Sequence, residues 1–249
     1  RSLGAIAALL ATGAVYLLTD RIGYRGLFWG VGGLALVAGL ALLPFRFSGD
    51  HLPPRRKVQF RRRYWLYYIL AFLLGSRRHI FTTFAIFLLV REHGIPVQTT
   101  ALLFLANSLV NTYAYQGIGR LVAHFGERTV LSVGFFLLIF VFLGYAYIPY
   151  LPLLYALFVL DNVIFGTSLA NSTYLQKIAV SEEELTSNLS LQQTLNHISA
   201  IVIPVLGGTI WQLFGAQAPF LMGVGIVAIS LTLVQFMRVP ASEPTPTPS

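Results

Sequence analysis

Cysteine is absent from the 249 residues. That excludes a disulfide framework, a thiolate nucleophile and any cysteine-ligated metal. The H-E-x-x-H pattern of zinc peptidases is missing too, and no cofactor or metal is expected. Charge is scarce: 10% of residues are Asp, Glu, Lys or Arg, where soluble domains carry about a quarter. With 56% hydrophobic residues and a mean hydropathy of +0.72, the composition is that of an integral membrane protein, with the lipid bilayer as its first partner. The net charge of +8 is no nucleic-acid footprint. Its cations fall in gaps between apolar runs, not on one solvated face interleaved with aromatics. Arg1 is not an initiator methionine and the first apolar run lacks a secretory cleavage pattern, so the chain reads as a fragment that begins inside a longer protein.

A helix needs about 20 apolar residues to cross about 30 Å of hydrocarbon. On that criterion eight runs are candidate spans, at residues 3–19, 26–43, 64–90, 97–116, 130–148, 153–175, 190–213 and 219–237. The long gap at residues 44–63 holds seven Lys and Arg and the pair Pro53 and Pro54, and reads as a basic linker. It separates two spans (1–43) from a six-helix bundle (64–238). The tail, 239–249, is rich in Pro and Thr and is expected to be disordered.

The stretch from Tyr64 to Val90 carries Arg77, Arg78 and His79 at its middle. An arginine at a span centre costs about 2.5–3.5 kcal/mol, tolerated where it faces protein or a water-filled cavity. Read as a single span, the stretch puts twelve Lys and Arg on one side of the membrane and three on the other; read as a re-entrant hairpin, it nearly erases that bias. Loops rich in Lys and Arg stay cytoplasmic. The single span is therefore favoured, with the linker and C-terminus cytoplasmic in a plasma membrane. The arginines then lie about 20 Å from the cytoplasmic end, near the midplane.

Helical spacing separates the three cations. Arg78 shares a stripe with Tyr67, Ala71, Leu74, Thr82 and Ala85 and is assigned to a cavity, as is His79 between Gly75 and Thr83. Arg77, flanked by Leu73 and Phe81, is assigned to helix packing, where it meets a carbonyl or an acid. Asp161 is the only carboxylate inside a span and is the natural counter-ion. Asn107, Asn111 and Tyr115 fall on one stripe, and Ser190, Gln193 and His197 on another. Pro204 with Gly207 and Gly208 marks a soft point, and Ser181 with Glu184 has capping-box spacing. From the third span onward the order is two polar spans then one apolar span, twice. Four helices are expected around a polar cavity, with two behind them.

Between the fourth and fifth spans, Gly119, Leu121, Gly126, Arg128 and Leu131 of GIGRLVAHFGERTVL resemble the cytoplasmic loop signature of the major facilitator superfamily. Ala123 replaces its acid and Glu127 stands where a base is usual. The resemblance implies an all-α membrane bundle in which these spans are the fifth to twelfth helices, the C-terminal half complete and the N-terminal half truncated. It implies a secondary transporter working by alternating access. The midplane cations add an expectation of a small, anionic solute at Arg78, His79, Asn107, Asn111, Gln193 and His197, with protons as a candidate coupling ion.

Bland readings stand beside these. Arg78 with His79 would also serve as an ion-pair lock to Asp161. Asp161 is better read as a counter-ion than as a proton carrier, since a neighbouring cation keeps it ionised. His197 relays protons or bonds Gln193, and the asparagines also act as interhelical glue. The contrasting functional class is a non-transporting scaffold or a membrane enzyme. An enzyme would need a nucleophile with its base, or a metal site, and the sequence offers neither.

Overall fold

The computed structural model describes residues 2–43 and 60–238, and among them it is wholly helical. Most of the linker and all of the tail named above lie outside the described residues. The helices are α1 (Ser2–Leu42), α2 (Trp65–Arg91), α3 (Val97–Phe125), α4 (Glu127–Tyr147), α5 (Leu151–Phe165), α6 (Leu169–Ile178), α7 (Glu182–Phe214) and α8 (Ala218–Val234). They correspond to the expected runs with one difference. The stretch α1 is two helices, matching the first two runs, joined at Gly23, whose φ of 64° and ψ of 174° are non-helical and open to glycine alone. The sixth run is broken in its middle by a 3-10 turn at Gly166–Ser168, between α5 and α6.

Among the described residues, five segments are long and apolar enough to cross a membrane: Arg21–Leu42, Arg62–Arg91, Glu127–Tyr147, Leu151–Ile178 and Glu182–Phe214. Helix α8 is apolar but shorter. At 29 residues, α3 is about 43 Å long. Its polar residues, Asn107 and Asn111 among them, keep it below the same standard of apolarity.

The chain divides into two compact units. In one, Ala11 and Val15 of α1 and Val97, Thr100, Ala101 and Phe104 of α3 line a cavity of about 270 Å³. The other holds residues 57–94 and 109–249; in it α2 packs on α7 and α8, and α4 on α5, α6 and α8. Small residues let these helices close up, as membrane helices require where no water drives them together. A Cβ at Gly207 would lie 2.3 Å from the Phe84 ring, and one at Gly223 would lie 2.4 Å from Phe142.

Between α2, α4, α5 and α8 sits an aromatic core. Phe81 stands edge-on to Tyr145, with centroids 5.1 Å apart, and stacks on Phe158 at 5.8 Å. Tyr145 packs on Phe220 and donates its hydroxyl hydrogen to the Leu154 carbonyl at 2.8 Å. Phe81 and Phe158 lie one turn from Arg77 and Asp161. The charged cluster is therefore floored by rings.

Candidate functional site

The basic cluster of α2 faces α5. Arg77 is fully buried, and its Nη1 donates to Asp161 Oδ1 at 2.9 Å; Asp161 is fully buried as well. Arg78 keeps a quarter of its side chain exposed. Its Nη1 donates to Asn162 Oδ1 at 3.0 Å and lies 3.8 Å from Asp161 Oδ2. Both guanidinium groups stand over the Phe165 ring, at 4.2 Å for Arg78 and 5.1 Å for Arg77. Such a contact contributes about 2 kcal/mol when desolvated.

The geometry of α5 explains why one short segment serves both arginines. Asp161, Asn162 and Phe165 occupy i, i+1 and i+4, so all three project toward the same neighbour. Two guanidinium groups against one carboxylate leave one net positive charge. Because Arg77 takes the short bond, the excess resides on Arg78, the partly exposed member. Arg77 Nε and Nη2 find no hydrogen-bond partner among the described residues, and the aromatic face of Phe165 is their compensation.

His79 is half-buried and packs against Asn196 of α7. The same asparagine sits over Gly75, where a Cβ would come within 3.0 Å of its Oδ1. Asn196 belongs to a polar seam along α7. Tyr64 donates to Glu184 Oε2, Tyr68 to Asn188 Oδ1 and Tyr67 to Gln192 Oε1, each at 2.5 Å, and the hydroxyls of Ser76 and Ser199 lie 3.2 Å apart. Partner numbers rise together on the two helices, so α2 and α7 run parallel. Glu184 also pairs with Arg61 at 2.7 Å. Ser181 caps α7, its Oγ accepting the Glu184 N–H at 3.2 Å, while the Glu184 carboxylate turns to Tyr64 and Arg61. Only half of a capping box forms.

The other predicted positions are dispersed. Gln193 and His197 of α7 are exposed, and His197 lies near His79 of α2. Asn111 is half-buried in the same compact unit as the arginines, whereas Asn107 belongs to the other unit, where its buried amide has no partner among the described residues. Asn162, Phe165, Gln192 and Asn196 complete the cluster without having been singled out by spacing. For Asn162, adjacency to Asp161 was the available signal. For Phe165 there was none, since an aromatic in an apolar helix is unremarkable. Asn171 of α6 is a further fully buried amide without a partner among the described residues.

At the loop between α3 and α4, Gly119 is half-buried and Leu121 exposed. Gly126 supplies the turn with a φ of 79°. Arg128 donates twice to Gln235 Oε1, at 3.0 and 3.2 Å, and the Gln235 amide returns a bond to Ser132 Oγ at 2.9 Å. Buried Glu127, the acid found where the loop signature has a base, pairs with Lys177 of α6 at 2.6 Å.

The described residues hold no group of His, Asp and Glu suited to a metal ion. No curated protein gives a significant match. The profile of the Major Facilitator Superfamily matches residues 1–180 and 67–249. These two overlapping matches cover the helices, the arginine cluster and the α3–α4 loop just described, and the chain belongs to that superfamily of membrane transporters.

Proposed function

We propose that the chain forms part of a secondary transporter that moves a small anionic solute by alternating access, with Arg78 as the group that meets the solute's negative charge. The observation that carries this reading is the unequal treatment of the two arginines. Arg77 is enclosed and matched by Asp161, while Arg78 keeps exposed surface and the unmatched charge. Charge in the membrane interior is costly and is retained where it serves a pathway. Exposed polar residues on α7, namely Ser190, Gln193, Thr194 and His197, support a water-lined wall beside it. Asn111 extends that wall, and His79 holds Asn196 at its edge. Asp161 is the counter-ion, and His197 is the group placed to exchange protons if protons drive transport. The excess of Lys and Arg at one membrane face supports an orientation with the linker and C-terminus in the cytoplasm.

The test is uptake or efflux by the full-length protein in reconstituted vesicles. Arg78→Ala is expected to abolish transport while leaving insertion and abundance intact, and Arg78→Lys to retain a measurable fraction. Normal flux through Arg78→Ala would remove the site assignment. Loss of abundance in that variant would support the ion-pair lock instead. A scaffold or an enzyme would give no solute flux with the native sequence.

A further inference from the structure

We infer that the cleft between α3, α4 and α5 is a binding site for an anionic phospholipid, one acyl chain lying in the cleft and the headgroup at Arg120 and His124. The cleft has a volume of about 420 Å³. Its floor is buried, formed by Ile118, Val130 and Ile164. Its rim is exposed and apolar, with Leu121 at 47%, Val133 at 54% and Leu137 at 41%. The solute site does not share it: Arg77, Arg78 and His79 are not among the lining residues.

Three observations fix the occupant. First, two of the three walls, α4 and the segment that holds α5, are long and apolar enough to cross a membrane, so the cleft opens where lipid chains are, and an apolar cleft is filled there by a chain. Second, its lining on α4 runs from Thr129 to Leu137, about 12 Å along a helix. That is close to the depth of one leaflet's hydrocarbon, about 15 Å. Third, charge gathers at one end only. At the α3–α4 loop, where the lining ends at Phe125 and Thr129, α3 carries exposed Arg120 and His124. Other ionic groups at this loop are already engaged: Glu127 pairs with Lys177, and Arg128 is held by the neutral amide of Gln235. Arg120 has no carboxylate partner among the described residues, and no acid on α3 opposes it. A phosphate at the head of a chain in the cleft would supply that partner. Each basic residue at a membrane surface raises affinity for anionic lipid about fivefold.

The inference is tested with the full-length protein in phosphatidylcholine vesicles, using photo-activatable phosphatidylglycerol or phosphatidylcholine whose acyl chain bears the reactive group, and mapping adducts by peptide mass spectrometry. Phosphatidylglycerol is expected to label the segment 118–137 several-fold more than phosphatidylcholine does. Excess unlabelled phosphatidylglycerol should compete that labelling away. Arg120→Gln should lower the preference about fivefold and Arg120→Lys should keep it. Val133→Trp, which fills the cleft at an exposed position, should remove labelling by both probes. Equal labelling by the two probes, a preference unchanged in Arg120→Gln, or competition by a free fatty acid as effective as that by phosphatidylglycerol would each overturn the inference.

Discussion

Replacing Asp161 with Asn keeps the size of the side chain and removes its charge, which isolates the electrostatic part of the cluster. Arg77 is then a fully buried cation with no carboxylate against its short bond. Its second neighbour, Arg78, repels it. Breaking a buried pair by removing one partner costs about 3–5 kcal/mol, because the remaining charge is uncompensated. At about 2–4 °C per kcal/mol for a unit of this size, the midpoint of thermal unfolding should fall by about 6–20 °C. Phe165 and Asn162 reduce the loss but do not cancel it, since both contacts are already present in the native protein, where the desolvated cation–π contact contributes about 2 kcal/mol. The decisive comparison is the double variant Arg77→Met with Asp161→Asn. With no charge left to strand, it should recover at least half of the lost stability, as buried ion pairs are replaceable by apolar groups of similar volume. Thermal unfolding of purified protein in detergent, read by intrinsic fluorescence, measures both. An Asp161→Asn variant as stable as the native protein, or a double variant worse than the single, would refute the account of Arg77 as a matched structural charge.

Three other outcomes follow from the same geometry. Gly207→Leu should destabilise by several kcal/mol, because its Cβ would lie 2.3 Å from the Phe84 ring, and pairing it with Phe84→Ala should restore part of the loss in the same unfolding assay. Glu127→Gln keeps one acceptor oxygen but removes the charge that holds Lys177, about half exposed, so a loss of about 1 kcal/mol is expected from the weakened bond. Ser181→Ala removes the cap of α7 and should cost about 1 kcal/mol, visible as faster hydrogen exchange at Glu182, Glu183 and Glu184.

How much of this could be read from the residues depends on the kind of signal. Long apolar runs declare themselves, so the helices and their order were available. The break at Gly23 falls in the gap between the first two runs, though glycine alone does not mark it, since Gly30, Gly32 and Gly33 nearby stay helical. On α7, polar residues occupy two faces, one through Asn188, Gln192 and Asn196 and the other through Ser190, Gln193 and His197. Periodicity finds both stripes and cannot say which meets protein. What decides is the partner: Tyr64, Tyr67 and Tyr68 present hydroxyls at one depth of α2, while Gly75 and Ser76 make room at the next. The basic triplet shows the same limit. Spacing put Arg78 with polar neighbours and Arg77 with apolar ones, and the structure gives the shorter bond to Asp161 to the arginine in the apolar setting. A charge with no route to solvent has the stronger demand for a partner.

The matching of Arg77 to Asp161 also has a consequence in time. The two residues are 84 positions apart, and at roughly 5–20 residues per second the acid is made roughly 4–17 s after the arginine. For that interval α2 holds two arginines in its apolar middle and neither of their α5 partners exists. Lateral release of α2 into lipid would then be opposed by several kcal/mol, whereas retention at the insertion machinery until α5 arrives would not. Nascent chains stalled between α4 and α5 should therefore crosslink α2 to the translocon, and chains stalled beyond α6 should not; equal crosslinking at both lengths would show that α2 leaves with its charges unmatched.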